Sequence, residues 1–124
     1  MATFKRFEEI LAWQKSRELT RLIYETTAGA RFSKDFGLRN QVQRACVSIM
    51  ANIAEGSARR SDKDFASFLN IARASASEAQ SHLYVALDLN YIDESTFAAL
   101  YGRLDEVSRM LGSLSRHLHT TDSK

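Results

Sequence analysis

Residues 97–118, FAALYGRLDEVSRMLGSLSRHL, decide the fold. Phe97, Leu100, Leu104, Val107, Leu111, Leu114 and Leu118 follow one another at alternating three- and four-residue steps. A helix turns once every 3.6 residues, so this spacing draws the apolar side chains into one seam, sustained over three heptads. A half-buried strand needs strict alternation instead. Asp93 stands just before the stretch, where its carboxylate can accept a backbone N–H of the first turn. A helix is therefore predicted over residues 93–119.

Three more helices precede it. In residues 62–89 a stripe runs through Phe65, Phe68, Leu69, Ala72, Ala76, Ala79, Leu83, Ala86 and Leu87, and its alanines permit close approach of a neighbour. Ser61 or Asp62 can cap this helix, Asp62 and Asp64 suit the positive end of its dipole, and Asn90 closes it. In residues 36–59, Leu38, Val42, Ala45, Ile49, Asn52 and Ile53 share a face. In residues 7–27 the apolar marks are Ile10, Trp13, Leu19, Leu22 and Ile23, and Gly29 provides the exit. No proline interrupts any of them. Four amphipathic segments with short connections predict an all-α protein, an antiparallel up-down four-helix bundle forming one domain over residues 1–124.

Composition agrees with a water-folding chain: 44% hydrophobic and 26% charged. No apolar run approaches the roughly 20 residues that span a bilayer, so no membrane partner is expected. The stretch Met1 to Glu9 lacks the apolar core of a signal peptide, and cytoplasmic residence is the expectation. Cys46 is the only cysteine, which excludes an intrachain disulfide and a multi-cysteine zinc site; it reads as a small core residue.

The second helix carries a feature that a lone bundle does not need. At 100° per residue, Phe36, Val47, Met50 and Ala54 gather opposite the core stripe centred on Ile49. Scattered surface apolar residues are common. A seam along one helix instead suggests a subunit interface, to which Tyr84 and Tyr91 are added as candidates.

The net charge is only +2, but it is unevenly placed. Between Arg31 and Lys63 lie seven basic residues, Arg31, Lys34, Arg39, Arg44, Arg59, Arg60 and Lys63, against the acidic Asp35, Glu55 and Asp62. These seven are the candidate contacts to RNA or DNA phosphates. Arg31 and Lys34 belong to the opposite end of the second helix from Arg59, Arg60 and Lys63, so the set need not form one patch. An oligomer would repeat each cluster around its axis. A solvated rim is the alternative.

Nothing points to catalysis. Glu55 sits near a helix C-terminus, where the dipole disfavours an anion. A structural ion pair with Arg44, Arg59 or Arg73 is expected there, with Glu55 and Arg73 as the candidate pair. Glu78 and His82 are one turn apart but lack the further carboxylates and second histidine of a di-iron bundle, so neither a metal nor another cofactor is expected. His117 and His119 are expected to be solvated. No phosphate-cradling glycine loop, nucleophile elbow or zinc pair occurs. Ser48, Ser75 and Ser77 have no histidine at an activating spacing. The chain is predicted not to be an enzyme.

The stretch Val47-Ser48-Ile49-Met50-Ala51-Asn52-Ile53-Ala54-Glu55-Gly56, then Phe68-Leu69-Asn70-Ile71-Ala72-Arg73, resembles the bacterial four-helix-bundle proteins encoded in intervening sequences of 23S ribosomal RNA genes. Ala12-Trp13-Gln14-Lys15 and Leu89-Asn90-Tyr91-Ile92 extend the likeness over nearly the whole chain. The resemblance implies a cytosolic bundle assembling as a ring-like homopentamer, with no established enzymatic activity. It also implies kinship with the accessory variability proteins of diversity-generating retroelements, which work with a reverse transcriptase and nucleic acid through basic surfaces. Two positions depart from the pattern. Met50 stands where the family often has proline, so the second helix is expected to be straighter, and Ala74 stands where it often has glycine. A protein-interaction scaffold that never touches nucleic acid is the other function compatible with this sequence.

Overall fold

The computed structural model describes residues 4–122; the outermost residues of the single domain expected over 1–124 lie outside it. Helices α1 (Leu11–Thr27), α2 (Phe36–Ser57), α3 (Asp62–Asp88) and α4 (Glu94–Asp122) succeed one another with short connections, and no strand occurs among the described residues. Each helix packs on its neighbours in the chain, and α4 closes the square against α1. The result is an all-α four-helix bundle.

Its core is the set of stripes read from the sequence. Leu19, Ile23, Val42, Ile49, Ile53, Leu69, Leu83, Leu104, Leu111 and Leu118 are almost wholly buried. Removing such side chains from water is the main stabilising term, at about 25 cal/mol per Å² of apolar surface. The α3 alanines at 72, 76, 79 and 86 are fully buried too. Where α2 meets α3 the backbones come closer still. A Cβ on Gly56 would lie 2.6 Å from Phe68 Cβ and 3.0 Å from Phe65 Cδ1, so only glycine fits that crossing. Cys46 is buried, and burial pushes its thiol up to about 12.

Local chemistry sets the helix ends. Ser61 caps α3 by accepting the Asp64 N–H at 3.1 Å, and Asp93 accepts the Thr96 N–H at 2.7 Å at the start of α4. Those bonds hold the Asp93 carboxyl below its usual range. Asp35 caps α2 through the Leu38 N–H, 3.1 Å away, a cap the sequence did not announce. At the end of α3, Asn90 adopts φ 59°, while the Asn90 N–H reaches Leu87 O and the Tyr91 N–H reaches Ala86 O. That is the Schellman arrangement, in which a left-handed residue turns the chain out of a helix and satisfies its last carbonyls.

The first helix differs from expectation. Residues 7–27 do not run as one helix: Phe7–Glu9 make a 3-10 turn, Ile10 is extended, and α1 starts at Leu11. No Ser, Thr, Asp or Asn stands there to cap a longer helix. Burial of Ile10, only 2% exposed, bends the chain instead. Phe7 packs edge-on against Trp13 with ring centroids 5.0 Å apart, and Gln14 Nε2 donates to Glu8 O. A second 3-10 turn, Phe32–Lys34, lies between α1 and α2. Its Phe32 is buried and stacks on Tyr91, so the α1–α2 and α3–α4 connections are joined at one end of the bundle.

Candidate functional site

The seven basic candidates separate into those engaged by their own chain and those left outward. Arg31 lies over the Tyr91 ring at 5.5 Å, and its Nη1 is 3.5 Å from Asn90 O. Arg39 lies over Phe36 at 4.9 Å and donates to Ser33 O at 3.0 Å. Arg59 lies over Phe68 at 4.7 Å and pairs with Glu55 at 2.8 Å. These three carry structure as well as charge. Lys34, Arg44, Arg60 and Lys63 are exposed and take part in no ion pair among the described residues. Lys34 sits at one end of α2, whose 22 residues span about 33 Å, while Arg60 and Lys63 sit at the other. Arg44 lies between, in a groove with Gln41, Ser48, Ser75 and Glu78.

The candidate pair of Glu55 with Arg73 is corrected. Glu55, in the last turn of α2, takes Arg59, two residues past the end of that helix. Arg73 projects from the other flank of α3 and reaches Gly112 of α4.

The apolar candidates occupy three separate places. Phe36 (64% exposed) and Val47 line an uncovered seam of α2 together with Met50 and Ala54, which are half-buried. This seam lies on the α1 flank, where Gln43 donates to Thr27 Oγ1 and Thr20 reaches Cys46 O. Tyr24 of α1 is exposed as well. Tyr84 belongs to a different face, in a cluster with Phe97 and Tyr101. Tyr91, half-buried, is engaged within its own chain. Its ring is stacked on Phe32 and its hydroxyl donates to Asp35 at 3.0 Å, which also holds the phenol above its ordinary range.

α3 also carries exposed apolar residues outside its core stripe. Ile71, Val85 and Leu89 on α3 are all exposed. Positions 71 and 89 are five full turns apart and 85 is about 40° away, so they share a face, on which Ser75 and the Glu78–His82 pair separate Ile71 from Val85 and Leu89. That face is the α2 flank of α3, the side on which Ser75 meets Ser48 at 3.0 Å. The periodic signal was present, but the stronger alanine and leucine stripe on the same helix obscured it. The polar groove containing Arg44 reaches onto this same face of α3 through Ser75 and Glu78.

Among the described residues no three His, Cys, Asp or Glu side chains come together as a metal site would require. The Glu78 carboxylate lies 3.4 Å from His82 Nε2. No helix of the described residues is long and apolar enough to cross a membrane.

The fold defines the class, a small all-α four-helix bundle. More narrowly, the chain belongs to the 23S rRNA-intervening sequence protein family, whose model matches residues 8–113. It is similar to a crystal structure from Bacteroides thetaiotaomicron VPI-5482, described as a protein with unknown function from the S23 ribosomal protein family. The two are 27% identical, with a TM-score of 0.77, over 85% of this chain and 98% of that one. Comparison with curated proteins gives no match.

Proposed function

We propose that this protein is a non-enzymatic, self-associating bundle of the cytoplasm that presents repeated basic patches to RNA or DNA. The observation carrying the proposal is exposed apolar surface on two neighbouring helices, Phe36 and Val47 beside the half-buried Met50 and Ala54 on α2, and Ile71, Val85 and Leu89 on α3. An isologous dimer uses one self-complementary patch. Two different patches on neighbouring helices suit a head-to-tail contact, which closes into a ring when the rotation permits. Five copies is the number suggested by the family resemblance. In such a ring Arg44, Arg60 and Lys63 recur around the axis, so modest charge per chain adds up to a salt-dependent field for phosphates.

Light scattering tests the assembly. Five copies of the 14.0 kDa chain give about 70 kDa. Val47→Lys and Ile71→Lys should each reduce the mass, and a wild-type monomer refutes self-association. Binding to mixed-sequence RNA and DNA should weaken with salt and with Arg60→Glu plus Lys63→Glu. An oligomer indifferent to both nucleic acids leaves the protein-interaction scaffold as the function.

A further inference from the structure

Two arginines converge over Gly112 on the outer face shared by α3 and α4. A Cβ built on Gly112 would lie 3.2 Å from Arg73 Cζ, 3.4 Å from Arg73 Nη1 and 3.4 Å from Arg116 Nη1. Arg73 arrives from α3. Arg116, one turn further along α4, folds back toward the N-terminus of its helix as long helical side chains do. Neither guanidinium takes part in an ion pair among the described residues. Asp105, two turns back on the same face of α4, is already held by Arg109. Two like charges brought to one point without a carboxylate between them form a receptor for an oxyanion, to which guanidinium donors present a planar fork. The absence of a Cβ on Gly112 leaves room for them.

The same face carries an aromatic platform. Tyr84 is eleven residues beyond Arg73 on α3, and Tyr101 is eleven residues before Gly112 on α4. Eleven residues advance a helix by about 16 Å and return it to within about 20° of the same phase. The antiparallel helices therefore set both tyrosines at one level of the groove and the arginine pair at another. Tyr84, 50% exposed, lies 4.8 Å from Phe97 and 5.9 Å from Tyr101 between ring centroids. Gln80, between the two levels, donates to Tyr101 O at 3.4 Å.

We propose that this groove holds a single-stranded nucleic acid, with a backbone phosphate on Arg73 and Arg116 over Gly112 and bases stacked against Tyr84 and Tyr101. Non-specific strand binders combine these two elements, a cationic track and aromatic faces that accept any base. The site is distinct from Arg44, Arg60 and Lys63, and it is complete within one chain, so it does not rest on the ring.

The test is fluorescence anisotropy with the full chain and labelled 12-nucleotide single-stranded RNA and DNA, a duplex of the same sequence, and inorganic phosphate as competitor. Arg73→Gln with Arg116→Gln should weaken strand binding at least tenfold and lower the salt slope by about two. Gly112→Ala, which changes no charge but intrudes on the Arg73 guanidinium, should weaken it several-fold. Tyr84→Ser should weaken the strands while leaving competition by inorganic phosphate unchanged. Arg60→Gln with Lys63→Gln tests the other basic surface, and the loss caused by the Arg73 and Arg116 substitutions should persist in that background, whereas Arg21→Gln on α1, outside both surfaces, should leave strand binding unchanged. Thermal melts confirm that each variant is folded. Strand affinity unchanged in the double arginine variant overturns the site. Loss only in the Arg60 and Lys63 variant also overturns it, while leaving the basic surface of the ring standing. Binding of phosphate but of no strand, or no binding of either, overturns it as well.

Discussion

Gly56→Ala should destabilise the protein although alanine is the better helix former. The new Cβ would sit 2.6 Å from Phe68 Cβ, 3.0 Å from Phe65 Cδ1 and 3.3 Å from Phe65 O. Carbon atoms rest about 3.5–4.0 Å apart, so relief requires roughly 1 Å of separation between α2 and α3. Neither the Phe68 Cβ nor a backbone oxygen can swing aside as a side-chain tip would. Overpacking of this kind costs about 1–3 kcal/mol. The intrinsic preference for alanine returns at most ~1 kcal/mol, and less in the last turn, where Gly56 lies. A net loss of about 1–2 kcal/mol should lower Tm by roughly 4–8 °C in a domain of this size. The control is Gly102→Ala, an exposed position in the interior of α4 with no atom within 4 Å of the added carbon. There propensity acts alone, and Tm should rise by about 4 °C. Thermal and urea melts followed by circular dichroism measure both. A Gly56→Ala variant as stable as the wild type, with Gly102→Ala stabilised as stated, would refute the close crossing of α2 and α3.

Three further outcomes follow from the helix ends and the core. Asn90→Gly should stabilise by up to ~1 kcal/mol, because the left-handed conformation costs glycine nothing, whereas Asn90→Val should destabilise; urea midpoints with unchanged slopes would establish both. Asp93 has its folded-state carboxyl lowered, so its contribution is present above the unfolded carboxylate pKa and is lost as pH falls through the lower folded value. Asp93→Asn keeps the cap but cannot titrate, so its stability should fall less steeply below pH ~4 than that of the wild type, as pH-resolved melts would show. The Cys46 thiol, with its pKa pushed up to about 12, should stay inert to a thiol reagent at pH 8 and react only as fast as the fold opens.

Much of this architecture was legible because helical periodicity is a local property. The seam from Phe97 to Leu118, the Ser61 and Asp93 caps, and the turn at Asn90 each depend on residues within a few positions of one another, and all lie where the spacing placed them. The start of α1 was less legible, since the extended backbone at Ile10 answers to burial against distant residues. The surface was legible only in part. The seam on α2 emerged from phase alone, but Tyr91 looked equally available until its ring met Phe32 and its hydroxyl met Asp35, fifty-six positions away.

The sequence by itself determined that four amphipathic helices form and which face of each turns inward, because apolar spacing and capping act over one or two turns. Tertiary structure alone decided which cations remain outward. Arg59 lies on Phe68 and pairs with Glu55, whereas Arg73 crosses to Gly112 beside Arg116. An arginine side chain is long enough to choose among partners on its own helix or the next, and that choice is made only when helices distant in sequence pack side by side.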